Sequence, residues 1–270
     1  MALTDKLTAI ANAIREKTGG TDTLTLDEMA TSISSIQTGG ATEPYVEEIY
    51  NSSGDLISAN MVGCTKIRDY FFYSCDKLSI DELSNDITYI GKYAFYGCSS
   101  LSLTSLPSSL TTIDTYAFMG CRSLSLTSLP SSLTTIGTYA FSNCKNLAIS
   151  ELPNNLEYIK GHVFDSGWNL TLLNVPASVK EVESYAFAHN AKLLSVIFNG
   201  DSIDINNYVF YSCTSLNTIT FKGTPSNIDP SAFYDCIKLT TINVPWSEGA
   251  VSGAPWGATN ATINYNYTGE

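Results

Sequence analysis

Histidine is nearly missing from this 270-residue chain, which has only His162 and His189. An H-E-x-x-H pair and any metal site built from several imidazoles are therefore excluded. Positive charge is also sparse: 14 Lys and Arg face 26 Asp and Glu, for a net charge of −12, and no basic run exists. Nucleic acid and anionic membrane surfaces carry the same sign and would be repelled. No apolar run approaches the ~20 residues of a membrane span. Charge of either sign makes up 15% of the chain, against roughly 25% in ordinary soluble proteins. Ser, Thr, Asn and Tyr take its place, giving the neutral polar surface expected outside a cell or on a virion. No phosphate-binding Gly-rich loop and no G-x-S-x-G elbow is present. Asp201–Asn207 resembles a calcium loop but lacks its Gly and closing Glu, and reads as a turn. Nothing singles out two carboxylates as a glycosidase pair. The expectation is a non-enzyme without cofactor or metal.

What is present is a period. Phe72, Phe95, Phe118, Phe141, Phe164, Phe187, Phe210 and Phe233 recur with a strict 23-residue period and no insertion. Five residues before each stands Ile67, Ile90, Ile113, Ile136, Ile159, Val182, Ile205 or Ile228. Six residues after each stands Leu78, Leu101, Leu124, Leu147, Leu170, Leu193, Leu216 or Leu239. A unit this short cannot bury its own apolar side. Stacked on its neighbours, it aligns Ile on Ile, Phe on Phe and Leu on Leu in one core. At ~4.8 Å per strand, eight coils span roughly 35–40 Å.

After the Leu column the coils fall into two groups. The first four place apolar residues as in Leu101/Leu103/Leu106, the last four as in Leu193/Val196/Phe198. The inward position moves by one residue, which predicts a change of strand register or sheet shape near Leu170. Ser99–Ile113 and Arg122–Ile136 are nearly identical. Stacking requires their apolar letters to match but not their Ser and Thr letters, so the identity points to recent duplication.

Three further columns are candidates for function. Cys75, Cys98, Cys121, Cys144, Cys213 and Cys236 share one position, with Gly167 and Asn190 in the other coils. They read as thiols packed on neighbouring backbone at a tight corner, with an oxidised pair or a metal site as alternatives. Tyr93, Tyr116, Tyr139, Tyr185 and Tyr208, with Tyr70, His162 and Ser231, form either a stacked ladder or an aromatic contact strip. Outward strand positions are Ser102, Thr104, Ser105, Ser125, Thr127 and Ser128 in the duplicated coils. Thr171, Asn174, Thr218, Thr220, Thr241 and Asn243 follow in the later, more varied coils, where specificity is expected to lie.

The ends differ. Leu7, Ile10, Ala11 and Ile14 share a helical face, and Thr25 with Glu28 forms a capping box for a second helix carrying Met29, Ile33 and Ile36. The amino terminus lacks the unbroken apolar region of a secretory signal. The expected organisation is 1–38 helical attachment segment, 39–66 linker and cap, 67–244 eight repeats, and 245–270 terminal cap. Trp246 and Trp256 are expected to shield the core end, and Ala261–Tyr267 to cover the last strand edge.

The unit Ile-x-x-Tyr-Ala-Phe-x-x-Cys-x-x-Leu, as in Ile90–Leu101 and Ile136–Leu147, resembles the BspA-like leucine-rich repeats of bacterial surface antigens. That resemblance implies a right-handed solenoid with a parallel β-sheet on one face, and a binding rather than catalytic role. The head, LTAIANAIREKTGGTDTLTLDEMATSISSI, is similar to N-terminal segments of phage and prophage tail proteins. That likeness implies attachment to other tail proteins through the helices, and a virion location. The expected partner is a protein or glycan on a cell surface, with homo-oligomerisation open. A cell-surface or secreted adhesin and a structural spacer are the alternatives.

Overall fold

The computed structural model divides the chain into residues 1–44 and 45–270, and describes residues 45–269 other than Trp168. The two helices expected before residue 37 lie outside the described residues.

The described chain opens with an antiparallel hairpin, β1 (Tyr45–Tyr50) and β2 (Leu56–Val62). Ala59 and Met61 of β2 are buried, and Ile57 O accepts a bond from the Ser79 N–H of the first coil. From residue 45 onward the stretch expected to be linker and cap is thus a β-hairpin bonded to the first coil.

Eight coils follow, and all eight Phe side chains are buried. Consecutive Phe rings stack with centroids 5.1–5.8 Å apart. Each Ile or Val of the second column closes a two-residue strand. These are β3 (Lys66–Ile67), β4 (Tyr89–Ile90), β5 (Thr112–Ile113), β6 (Thr135–Ile136), β7 (Tyr158–Ile159), β9 (Glu181–Val182), β11 (Asp204–Ile205) and β13 (Asn227–Ile228). They pair in parallel as β3-β4-β5-β6 and β7-β9-β11-β13, and β6 does not pair with β7.

The second sheet belongs to the later coils. β8 (Leu172–Val175), β10 (Ser195–Phe198), β12 (Thr218–Phe221), β14 (Thr241–Asn243) and β15 (Thr262–Asn264) form one parallel sheet. Leu173, Val196, Ile219 and Ile242 align on its inner face. The change expected near Leu170 is present, and its cause is the spacing of inward residues. In the later coils the inward pair, such as Val196 and Phe198, is two apart, matching the pleat. In the first four coils Leu103 and Leu106 are three apart, so an unbroken strand would turn one of them outward. Pro107, Pro130 and Pro153 also remove an N–H just beyond. Those segments carry no strand, and neighbouring coils are joined there by single bonds such as Ser125 N–H to Leu103 O, 3.1 Å. The expectation of one sheet along the face is corrected in this respect: Ser102, Thr104, Ser105, Ser125, Thr127 and Ser128 lie off any strand.

The chain beyond residue 244 makes a partial ninth coil. Trp256 stands one full period after Phe233 and is fully buried, and Trp246 is buried beside Phe221. β15 covers the edge of β14, as the alternation over Ala261–Tyr267 predicted.

Candidate functional site

Each coil turns through a variant of Ile-x-x-Tyr-Ala-Phe-x-x-Cys, and in seven of the eight the residue at the Tyr position is left-handed. Tyr70, Tyr93, Tyr116, Tyr139, His162, Tyr185 and Tyr208 have φ between 55° and 60°. A non-glycine residue there costs roughly 1–2 kcal/mol. The turn offsets it by pairing alternate N–H groups with the next coil. Tyr93 donates to Thr115 O at 3.1 Å, Phe95 to Ala117 O at 2.7 Å and Gly97 to Met119 O at 2.8 Å. Two glycines are demanded by close approach on this side of the stack. A Cβ on Gly91 would lie 2.6 Å from Asp69 N, and one on Gly137 2.3 Å from Thr115 N.

This backbone sets the rings in one file. Centroid separations from Tyr70 through Tyr93, Tyr116, Tyr139, His162 and Tyr185 to Tyr208 are 4.9, 4.6, 4.8, 4.3, 4.9 and 5.2 Å. Their planes lie within 23° of parallel. The ladder expected from the column is therefore formed. Its geometry decides what it can offer: interior rings cover each other's faces, so a sugar cannot stack on them, and only ring edges and hydroxyls look outward. Burial, then the neighbouring tyrosines, raises the Tyr93 hydroxyl above its ordinary pKa. A second rank, Tyr73 on Tyr96 and Tyr211 on Tyr234, flanks the file near its two ends.

The middle of the strip holds a polar island that the sequence did not single out. Asp165 lies 3.0 Å from Nδ1 of His162 and 3.0 Å from Nδ1 of His189, and accepts a bond from Ser166 Oγ at 3.0 Å. The carboxylate accepts from both rings, so both protons sit on Nδ1. His162 is a near neighbour of Asp165 in sequence, but His189 belongs to the next coil and only the stacking brings it in. Among the described residues no group of three or more His, Cys, Asp or Glu is arranged to hold a metal.

The Cys column packs on backbone. Cys98, Cys121, Cys144, Cys213 and Cys236 each donate Sγ–H to the carbonyl of the Phe in the preceding coil, at 3.0–3.2 Å. All seven cysteines are free thiols. Burial pushes Cys98 and Cys236 up to about 12, and Cys121, Cys144 and Cys213 well above the ordinary thiol value. These five buried thiols are inert structural groups.

The outer face of the long sheet carries two rows. One aligns Leu172, Ser195, Thr218, Thr241 and Thr262; the other aligns Asn174, Ile197, Thr220, Asn243 and Asn264. Thr171 is exposed and precedes β8, and Asn174, Thr218, Thr220 and Thr241 are half-buried. Asn243 is buried, at 8% exposure. It donates to Thr220 Oγ1 at 3.3 Å and accepts from Asn264 at 2.8 Å. It is therefore a rung of an internal polar ladder and is withdrawn from the contact surface expected for it. Where this sheet begins, a depression of about 290 Å³ is lined by Glu151, Leu152, Asn154, Asn174, Pro176 and Asn199.

Inward columns of Leu, Ile and Phe at constant spacing, with parallel pairing between coils, define a leucine-rich-repeat solenoid. The chain belongs to the BspA type leucine rich repeat family, whose model matches residues 65–193 and 181–251 with six copies of the repeat. No curated protein matches the chain. Among solved structures it is similar to a leucine-rich repeat protein from Bacteroides ovatus, with 18% identity over 84% of this chain and 76% of that one, TM-score 0.40. The T. pallidum leucine-rich repeat protein shows 24% identity over 72% and 87% of the two chains, TM-score 0.41. The pneumococcal vaccine antigen PcpA shows 20% identity over 80% and 60%, TM-score 0.48. Solenoids of this family typically serve as non-enzymatic binding scaffolds.

Proposed function

We propose that this chain is a non-catalytic adhesion protein whose solenoid presents short polar side chains to a protein or glycan on a cell surface. The observation that carries the reading is the match to the BspA type repeat across residues 65–251. The chemistry of the outer surface agrees with it. The thiols of the core are neutral, the sheet face bears mainly hydroxyls and amides beside Leu172 and Ile197, and the net charge disfavours nucleic acid and anionic lipid. Display on a bacterial surface, or secretion, fits the family. A second reading rests on the head sequence: the likeness of Leu7–Ile36 to tail-associated segments supports display on a phage or prophage tail, with that head segment held by other tail proteins.

Two experiments test these readings in turn. The full chain, fluorescently labelled, is incubated with candidate bacterial and host cells, and binding is measured against an equally acidic globular control. Saturable labelling is expected, and its absence from every cell tested leaves the solenoid a structural spacer. Immunogold labelling of producing cultures then separates the two locations: gold on cell envelopes favours the adhesin, and gold on virion tails favours the tail component.

A further inference from the structure

We infer that the step at the start of the long sheet is a binding site for a neutral, hydroxyl-rich ligand, the terminal sugar of an uncharged glycan. This rests on the adhesion reading above and names the chemistry of its ligand.

The site arises from the mismatch between the two kinds of coil. The last strandless coil ends at Glu151 and Leu152, and β8 begins at Leu172; the two meet through a single bridge between Glu151 and Asn174. Asn174 N–H reaches Ser150 O at 3.0 Å. The surface steps here, and the depression opens against the step.

Its polar groups are left over from the stacking. Elsewhere in the same row Asn264 bonds Asn243, which bonds Thr220. Within the described residues the side chains of Glu151, Asn154 and Asn174 engage no partner, and Asn199 directs its amide N–H to Val175 O at 3.0 Å while its Oδ1 stays free. The depression is thus lined by the unpartnered Glu151, Asn154 and Asn174 and by Asn199, together with buried Leu152 and Pro176.

Chemistry narrows the occupant. No cation lines the depression, so an anionic ligand has no counter-charge, and the overall charge repels it. An apolar peptide anchor needs a deep aromatic or aliphatic pocket, and the only apolar residues lining this shallow depression are Leu152 and Pro176. Amides supply a donor and an acceptor side by side, suited to neighbouring hydroxyls, and a carboxylate accepts from a third. At about 290 Å³ the space lies just below the roughly 300–1,000 Å³ of small-ligand sites, which suits one sugar ring.

The test uses the full chain, ¹⁵N-labelled, titrated with neutral sugars (glucose, galactose, mannose and N-acetylglucosamine), with sialic acid and with Ca²⁺ alone. The expected result is that at least one neutral sugar shifts the side-chain amide signals of Asn154 and Asn174 with an affinity of ~1 mM or better. Asn174→Ala should weaken it about tenfold, while Tyr116→Ala leaves it unchanged. Equal thermal unfolding of Asn174→Ala and the parent shows that the loss is not misfolding. The proposal is overturned if no neutral sugar shifts these signals, if Asn174→Ala binds as well as the parent, or if only sialic acid or Ca²⁺ binds. Cell labelling that persists without any sugar response removes this site and leaves the adhesion reading standing. Loss of both removes both. Competition by the free sugar against cell labelling shows that a displayed glycan is the source.

Discussion

Gly167 and Asn190 are one compensated pair. They occupy the same position in adjacent coils, where six other coils carry Cys. A Cβ on Gly167 would lie 2.9 Å from Asn190 Oδ1. Asn190 is fully buried and donates to Phe164 O at 2.9 Å and Phe187 O at 2.7 Å. The larger amide does in one coil what a thiol does in the others, and the coil before it lacks a side chain where that amide needs room.

Gly167→Ala should therefore destabilise by about 1–3 kcal/mol through overpacking. In an Asn190→Cys background the same change should cost less, since the obstructing oxygen is gone. A double-mutant cycle by urea unfolding should return a coupling of about 0.5–3 kcal/mol; additive effects would show that the two positions do not touch.

Phe141 lies mid-stack, its ring 5.4 and 5.7 Å from the rings of Phe118 and Phe164. Phe141→Ala removes both contacts and leaves a cavity that neighbouring coils cannot close. A loss of about 3–5 kcal/mol is expected in chemical denaturation. A loss below about 1 kcal/mol would mean that the stack collapses around the gap.

Tyr116 has φ of 60°. Both Tyr116→Ala and Tyr116→Gly lose the stacked ring, but only glycine relieves the left-handed backbone. The glycine variant should be the more stable of the two by about 1 kcal/mol, read as the difference in unfolding free energy.

The buried thiols make the fold sensitive to alkali. Folded Cys98 is pushed up to about 12 from an ordinary thiol value of 9.0, so the fold favours the neutral form. The contribution is complete below about pH 9 and is lost as pH rises towards 12. Each such thiol adds a slope of about 1.4 kcal/mol per pH unit in that window. Unfolding free energy measured from about pH 8 to 11 should fall steeply, and Cys144→Ser, which keeps a donor for Phe118 O, should make the fall shallower. An unchanged slope would count against burial as the cause.

The stack has a seam between its fourth and fifth coils. Gly137 N–H bonds Ile113 O at 2.8 Å and Glu183 N–H bonds Ile159 O at 2.9 Å, but the matching bond from Lys160 to Ile136 is missing, as is that from Glu157 to Thr134. The amides of Glu157 and Lys160 should exchange with solvent faster than those of Gly137, Lys180 and Glu183. Equal protection in a hydrogen-exchange experiment would show the ladder to be continuous.

The repeat and its core were legible because stacking ties every inward letter to the letter one period away. The shift of the inward position near Leu170 was legible for the same reason, since alternation of period two shows in the letters. The interruption between Ile136 and Ile159 was not, because both residues keep the column and only backbone pairing fails. Asn243 also misled. Its place in β14 points outward, and it is held between Thr220, one ordinary period back, and Asn264, whose approach depends on a ninth coil two letters shorter than the others.

The sequence alone therefore determined the coil length, the three apolar columns and the terminal tryptophans, since a repeated contour admits only residues that fit their copies above and below. The tertiary structure decided which side chains remain free to bind. It turned the tyrosine column into a file of covered ring faces, joined His162 and His189 through Asp165, and left Asn174 unpaired at a step between two kinds of coil. Those outcomes depend on how far apart neighbouring coils lie and which backbone groups they share, and no single coil carries that information.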